Sequence, residues 1–145
     1  MLPYDERRST GESIRVLVTG AETSGRIALI EILGRRSAAS PRHRHHWEDE
    51  FVYVLEGEVA FDVDGQRFLR PAGTGLFLPV GREHAFAVVS EEARLLVIMA
   101  PAGLERCLAE LTGTAVDGPP AVERVVTLAA RYGIEITGPP PVEPS

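Results

Sequence analysis

An all-β sandwich or barrel followed by short helices is the fold class this sequence predicts. Three observations predict it. Short alternating or β-branched stretches recur along the first hundred residues, punctuated at regular spacing by Gly- and Pro-containing turns. One pair of stretches is joined by Asp64-Gly65, a dipeptide suited to a tight hairpin because glycine accepts positive φ. In the C-terminal third the apolar spacing changes from strand-like to helical.

Taken in order, residues 1–13 are polar and read as an arm. Ile14–Thr19 alternates as a strand, and Gly20–Gly25 is a turn. Arg26–Leu33 is apolar and β-branched, hence a second strand, and Gly34–Pro41 is a loop. Glu50–Leu55, with Phe-Val-Tyr-Val at its centre, is a strong strand ending at the Glu56-Gly57 turn. Glu58–Asp64 places Val59, Phe61 and Val63 on one face, and Gln66–Arg70 returns as its partner. Pro71–Gly75 is a turn. Leu76–Leu78, His84–Val89 and Arg94–Ala100 are the remaining strands. Gly103–Thr112 puts Leu104, Cys107, Leu108 and Leu111 on one helical face. After a Gly113–Gly118 link, a second helix starts at Pro119 or Pro120 and stops at Gly133, with Val122, Val125, Val126, Ala129 and Tyr132 as its stripe. Such short helices are expected to pack on the barrel or on a second subunit. The Gly138-Pro-Pro-Pro tail is extended.

At 145 residues, one domain is expected: 1–25 an arm and strand, 26–100 the barrel, 101–145 a helical extension with a Pro-rich tail. The chain is 44% hydrophobic and 25% charged, which is ordinary for a globular protein. A net charge of -6 argues against nucleic acid or an anionic membrane as partner. Cys107 is the single cysteine, so no intrachain disulfide forms. The N-terminus is charged where a signal peptide needs an apolar run, and no stretch approaches membrane-spanning length. A cytoplasmic location is expected.

The chemistry concentrates in two segments. All 4 histidines lie in Pro41-Arg-His-Arg-His-His-Trp-Glu-Asp-Glu50 and Pro79-Val-Gly-Arg-Glu-His84. His43, His45, Glu50 and His84 make a mixed nitrogen and oxygen ligand set for one divalent transition metal: Fe, Mn, Ni, Co or Zn. His43 and His45 are two apart, so an extended segment aims both the same way. Glu50 follows at an odd interval, which requires a turn or bulge at Trp47-Glu48-Asp49. His84 comes from a distant strand and is expected to close the site across the barrel. His46 alternates outward and reads as a surface residue. Arg42, Arg44 and Arg82 flank the site, either as solvated charge paired with Glu48, Asp49 and Glu83 or as anion guides at a pocket mouth.

The segment His43-x-His45-x4-Glu50-x6-Gly57 resembles the first signature of the cupin superfamily, and Gly73-x5-Pro79-x-Gly81-x2-His84 resembles the second. The resemblance covers roughly Arg26 to Ala100 and implies a cupin-type double-stranded β-helix, a jelly-roll barrel. It marks His43, His45, Glu50 and His84 as metal ligands. Two positions depart from the pattern: Ser37 stands where the first signature opens with glycine, and Val88 where the second ends with asparagine. Asp49-Glu50, Val54-Leu-Glu-Gly57, Pro101-Ala-Gly-Leu-Glu105 and Ala130-Arg-Tyr-Gly-Ile-Glu135 are similar to single-domain, quercetin-dioxygenase-like cupins.

Strand parity points Val52 and Val54 the same way as Glu50, and Phe86 and Val88 the same way as His84. With Phe61, Phe77 and Met99 they would wall an apolar pocket for a hydrophobic or aromatic small molecule. Tyr53 faces the other way. The resemblance implies a metal-dependent enzyme, foremost a dioxygenase-type oxidoreductase with Glu50 as the catalytic proton acceptor. A redox-neutral isomerase or cyclase, or a non-catalytic small-molecule-binding barrel, are the alternatives. A homodimer is expected, because small barrels leave edge strands that pairing or a swapped N-terminal strand, here Ile14–Thr19, would cover.

Overall fold

Strands rich in Val, Ile, Leu and Phe, separated by left-handed glycines, fold into two five-stranded antiparallel sheets laid face to face. The computed structural model of the chain describes residues 12–113 and 122–141. The first sheet has the order β1-β2-β9-β4-β7, built from Glu12–Val18, Ala28–Arg35, Glu92–Ala100, Asp49–Glu56 and Gly75–Leu78. The second has the order β10-β3-β8-β5-β6, from Ile134–Gly138, Arg42–His45, His84–Val88, Glu58–Val63 and Gln66–Pro71. Two sheets with consecutive strands switching between them make the jelly-roll sandwich expected from the sequence. Helices α1 (Leu104–Gly113) and α2 (Val122–Arg131) follow.

The core lies between the sheets. Along β9 every second residue is buried, with Ala93, Leu95, Val97 and Met99 turned inward. Register carries that face to Val54, Val52 and Glu50 on β4 and to Ile32, Ile30 and Ala28 on β2. Opposite them, Val59, Phe61 and Val63 of β5 stand beside Val88, Phe86 and His84 of β8. Leu104, Cys107, Leu128 and Ala129 join the same core cluster, so both helices pack on the barrel. Gly57 marks a point where the chain tolerates no side chain: its φ is +82 and a Cβ would lie 2.2 Å from the Glu92 carbonyl. Ser37, standing in the glycine position of the resembled signature, takes φ +74, so the backbone there keeps the left-handed turn without the glycine.

Several expectations are adjusted. The Gly20–Gly25 turn contains a short 3-10 helix, Gly20–Thr23, capped by the Thr19 side chain. Between the Gly133 helix stop and the Pro-rich tail there is a strand not expected from the sequence: Ile134–Gly138 forms β10 and pairs with β3. Phe77 does not wall the interior. It pairs with Phe51, one residue out of step with the inward Glu50 and Leu78, so it stands on the outer face and is 58% exposed. The arm up to residue 11, most of the Gly113–Gly118 link and the Pro119 and Pro120 helix start lie outside the described residues.

Candidate metal centre

His43 and His45 alternate correctly on β3, as their spacing requires. His84 begins β8, directly opposite His43 across the β3–β8 pair. His84 therefore does not close the site across the barrel; it is a neighbour within the same sheet. Glu50 is the group that reaches over, from β4 of the opposite sheet. The His46–Glu48 turn between β3 and β4 supplies the change of direction that the odd spacing demanded. The three imidazoles converge: ring centroids are 4.3 Å apart for His43 and His84, 4.8 Å for His43 and His45, and 5.3 Å for His45 and His84. One ligand atom from each lies within 4.8 Å of the others, a cluster able to hold a metal ion. Glu50 Oε1 is 3.1 Å from His45 Nε2, and Oε2 is 3.4 Å from His84 Nε2.

The outward nitrogens fix the inward ones. His43 Nδ1 faces the Pro41 carbonyl at 2.8 Å, and His84 Nδ1 faces the Arg82 carbonyl at 3.2 Å. His45 Nδ1 faces Glu48 Oε1 at 2.6 Å. All three partners are acceptors, so each Nδ1 carries a proton and Nε2 is left as the nitrogen available to a metal. His45 Nε2 is buried and makes no hydrogen bond, although Glu50 Oε1 lies 3.1 Å away. An orphaned, buried ring nitrogen facing a carboxylate is the arrangement a metal cation completes. The donor set therefore fits a metal ion.

The charges agree with this. Burial holds the His43 imidazole down to about 3, with His84 and His45 adding repulsion, so the ring is neutral and free to coordinate. Burial alone would raise the Glu50 carboxyl, but His45 and His84 outweigh it and hold it at about 2, so it is ionised at neutral pH. Burial pulls His45 down, yet Glu50 and Glu48 together leave it raised.

Of the apolar candidates, Val52, Val54, Phe61, Val88 and Met99 are buried on the inner faces, and Phe86 is half-buried beside Phe61. Phe86 and Val63 face inward and are half-buried, with Val63 paired opposite His84. His46 lies on the surface, 3.6 Å from Glu135. The flanking arginines pair with acids: Arg42 with Asp62 at 3.4 Å, Arg44 with Glu83 at 3.5 Å, Arg82 with Asp64 at 3.4 Å. Glu48 and Asp49 are not among those partners. Glu48 holds His45, and Asp49 accepts from the Val80 amide at 2.8 Å. Sequence reasoning treated Glu48 as a surface acid; its position three residues after a candidate ligand was the available signal.

Residues 30–99 match the Cupin domain family, and the chain belongs to it. It is 36% identical over 101 residues to polyketide synthase CurC of Streptomyces cyaneus, covering 67% of this chain and 64% of CurC. It is 28% identical over 102 residues to quercetin 2,3-dioxygenase of Bacillus subtilis, covering 66% of this chain but 30% of that enzyme. Among solved structures, polyketide cyclase RemF of Streptomyces resistomycificus superposes with a TM-score of 0.55 at 28% identity, over 64% of this chain and 69% of RemF.

Proposed function

We propose that this cupin is a metal-dependent enzyme that cyclises or isomerises a small aromatic or polyketide-like compound, with His43, His45, His84 and Glu50 holding one divalent transition metal. The observation that carries the reading is the Glu50 carboxylate, ionised and facing the Nε2 atoms of His45 and His84 at 3.1 and 3.4 Å inside an apolar barrel. When bound, the metal supplies Lewis-acid stabilisation of oxyanion character on a substrate oxygen. The chain's own residues do the rest. Glu50 takes a proton from a substrate hydroxyl or from the carbon next to a carbonyl, and returns it at a second position. Phe61, Phe86, Val52, Val54, Val88 and Met99 exclude water and seat an apolar ring. The likeness to CurC and RemF, which are named for polyketide synthesis and cyclisation, supports this substrate class.

A dioxygenase, the foremost expectation from the sequence, becomes the second reading. Its support is the likeness to quercetin 2,3-dioxygenase, which is weaker and spans less of that enzyme. The partner expected beyond the substrate is a second copy of the chain.

The test pairs elemental analysis with turnover. Purified protein is expected to hold near-stoichiometric divalent metal and to convert an aromatic poly-β-ketone probe without oxygen uptake. Glu50→Gln should lower the rate about 100-fold or more. Oxygen consumption matched to product would favour the second reading. Absence of metal after reconstitution would sink both and leave a binding barrel.

A further inference from the structure

We propose that Glu48 is a positioning residue for this centre, holding His45 by its Nδ1 so that Nε2 is aimed into the cluster; this rests on the metal-site reading above. The three imidazoles are not equivalent. His43 and His84 are held from behind by neutral backbone carbonyls, at 2.8 and 3.2 Å. His45 alone is held by a carboxylate, at the shorter distance of 2.6 Å. A charge-assisted hydrogen bond is stronger than a neutral one and makes the ring a better electron donor at its other nitrogen.

Glu48 is also buried where a carboxylate needs a partner. It is 3% exposed, and a buried carboxylate is costly unless paired. The side-chain partner the structure gives it is His45. Its place is fixed on both sides. The preceding residues are tied to the C-terminal strand: the His46 amide donates to the Gly133 carbonyl at 2.8 Å, and Ile134 pairs with His45. The Trp47 ring lies against Gly133, where a Cβ would sit 2.5 Å from it. The following residue is tied to the second signature by the bond from the Val80 amide to Asp49. A carboxylate pinned this way holds one imidazole in one tautomer and one orientation.

The experiment compares wild type, Glu48→Gln and Glu48→Ala with Glu105→Gln. Glu105 is another buried carboxylate, at the start of α1, and it accepts from the Gly20 and Gly103 amides and not from a histidine. Each protein is titrated with Co(II), reading affinity and the d–d absorption spectrum, and the metal-free forms are examined by nitrogen-15 NMR of the histidine rings. Co(II) affinity is expected to fall about 10-fold in Glu48→Gln and up to about 100-fold in Glu48→Ala, with a changed spectrum. At a pH high enough for the ring to be neutral, the metal-free Nδ1–H tautomer of His45 should give way to a mixture in Glu48→Ala. Glu105→Gln should melt earlier but bind Co(II) with wild-type affinity and spectrum. Wild-type affinity and spectrum in both Glu48 variants would overturn the proposal. If the wild type itself binds no Co(II), the metal reading fails separately, and the ring tautomer decides: its loss in Glu48→Ala upholds the positioning role, and its persistence overturns it.

Discussion

A single imidazole can be read in two ways here, as a ligand or as a packed core residue, and substitutions separate them. His84→Ala removes one of three converging nitrogens while leaving β8 paired to β5 through backbone bonds. Bound metal should fall to a small fraction of the wild-type content, with the fold retained by circular dichroism. His46→Ala should leave metal content intact, since that side chain is on the surface beside Glu135; loss equal to that of His45→Ala would contradict the β3 register. The acid side offers a further check in metal-free protein. His43 is held to about 3 when folded and titrates near 6.5 when unfolded. Between those values the unfolded chain binds a proton that the folded chain does not, so His43 subtracts stability as pH falls through that window. His45, shifted upward, acts in the opposite sense. The drop in Tm from pH 7 to pH 5 should therefore be smaller in His43→Gln than in the wild type, and an equal drop would place the acid sensitivity elsewhere.

Among the elements, β10 changes the meaning of the C-terminal third. It adds a strand beside β3, the strand that carries two candidate ligands, and Gly133 enters it with φ +73 under the Trp47 ring. A Gly133→Ala change meets both a left-handed backbone and a ring atom at 2.5 Å. A loss of about 1–3 kcal/mol is expected, read as a lower Tm, together with weaker metal binding as the His46–Glu48 turn shifts. An unchanged Tm would show that Trp47 moves aside freely. These elements also mark what the sequence could and could not convey. Strand β4 was legible from its β-prone Phe51-Val-Tyr-Val54 run, and β5 from Val59, Phe61 and Val63 recurring at every second position. The candidate ligands were legible because their spacing is a local property of β3 and of the turn into β8. Strand β10 was not: Ile134-Glu-Ile136 is too short to stand out, and its pairing with β3 is a long-range contact that alternation does not encode. Phe77 was misplaced for a related reason, since its face depends on register with Phe51 and not on its own neighbours.

For the whole molecule, that register leaves an unbalanced surface. Leu29, Ile98, Phe51 and Phe77 form one row across β2, β9, β4 and β7 on the outer face of the first sheet. Leu96 and Tyr53 stand in the next row. Phe51 and Phe77 are 37% and 58% exposed, and the Phe51 ring lies over Gly75, which has no side chain to displace it. Contiguous apolar rows on a sheet are surfaces that association covers. The same sheet ends in β1, whose outer edge has no neighbouring strand among the described residues. A two-fold pairing of this face with its own copy would bury the aromatic rows against each other and use one self-complementary surface. Light scattering at micromolar concentration is therefore expected to give twice the chain mass. Phe77→Glu should shift the population toward monomer, while metal content stays unchanged because Phe77 points away from Glu50. A wild-type monomer would remove the self-association reading. A Phe77→Glu dimer as tight as wild type would move the interface off this face and onto the free edge of β1, the strand first expected to mediate pairing.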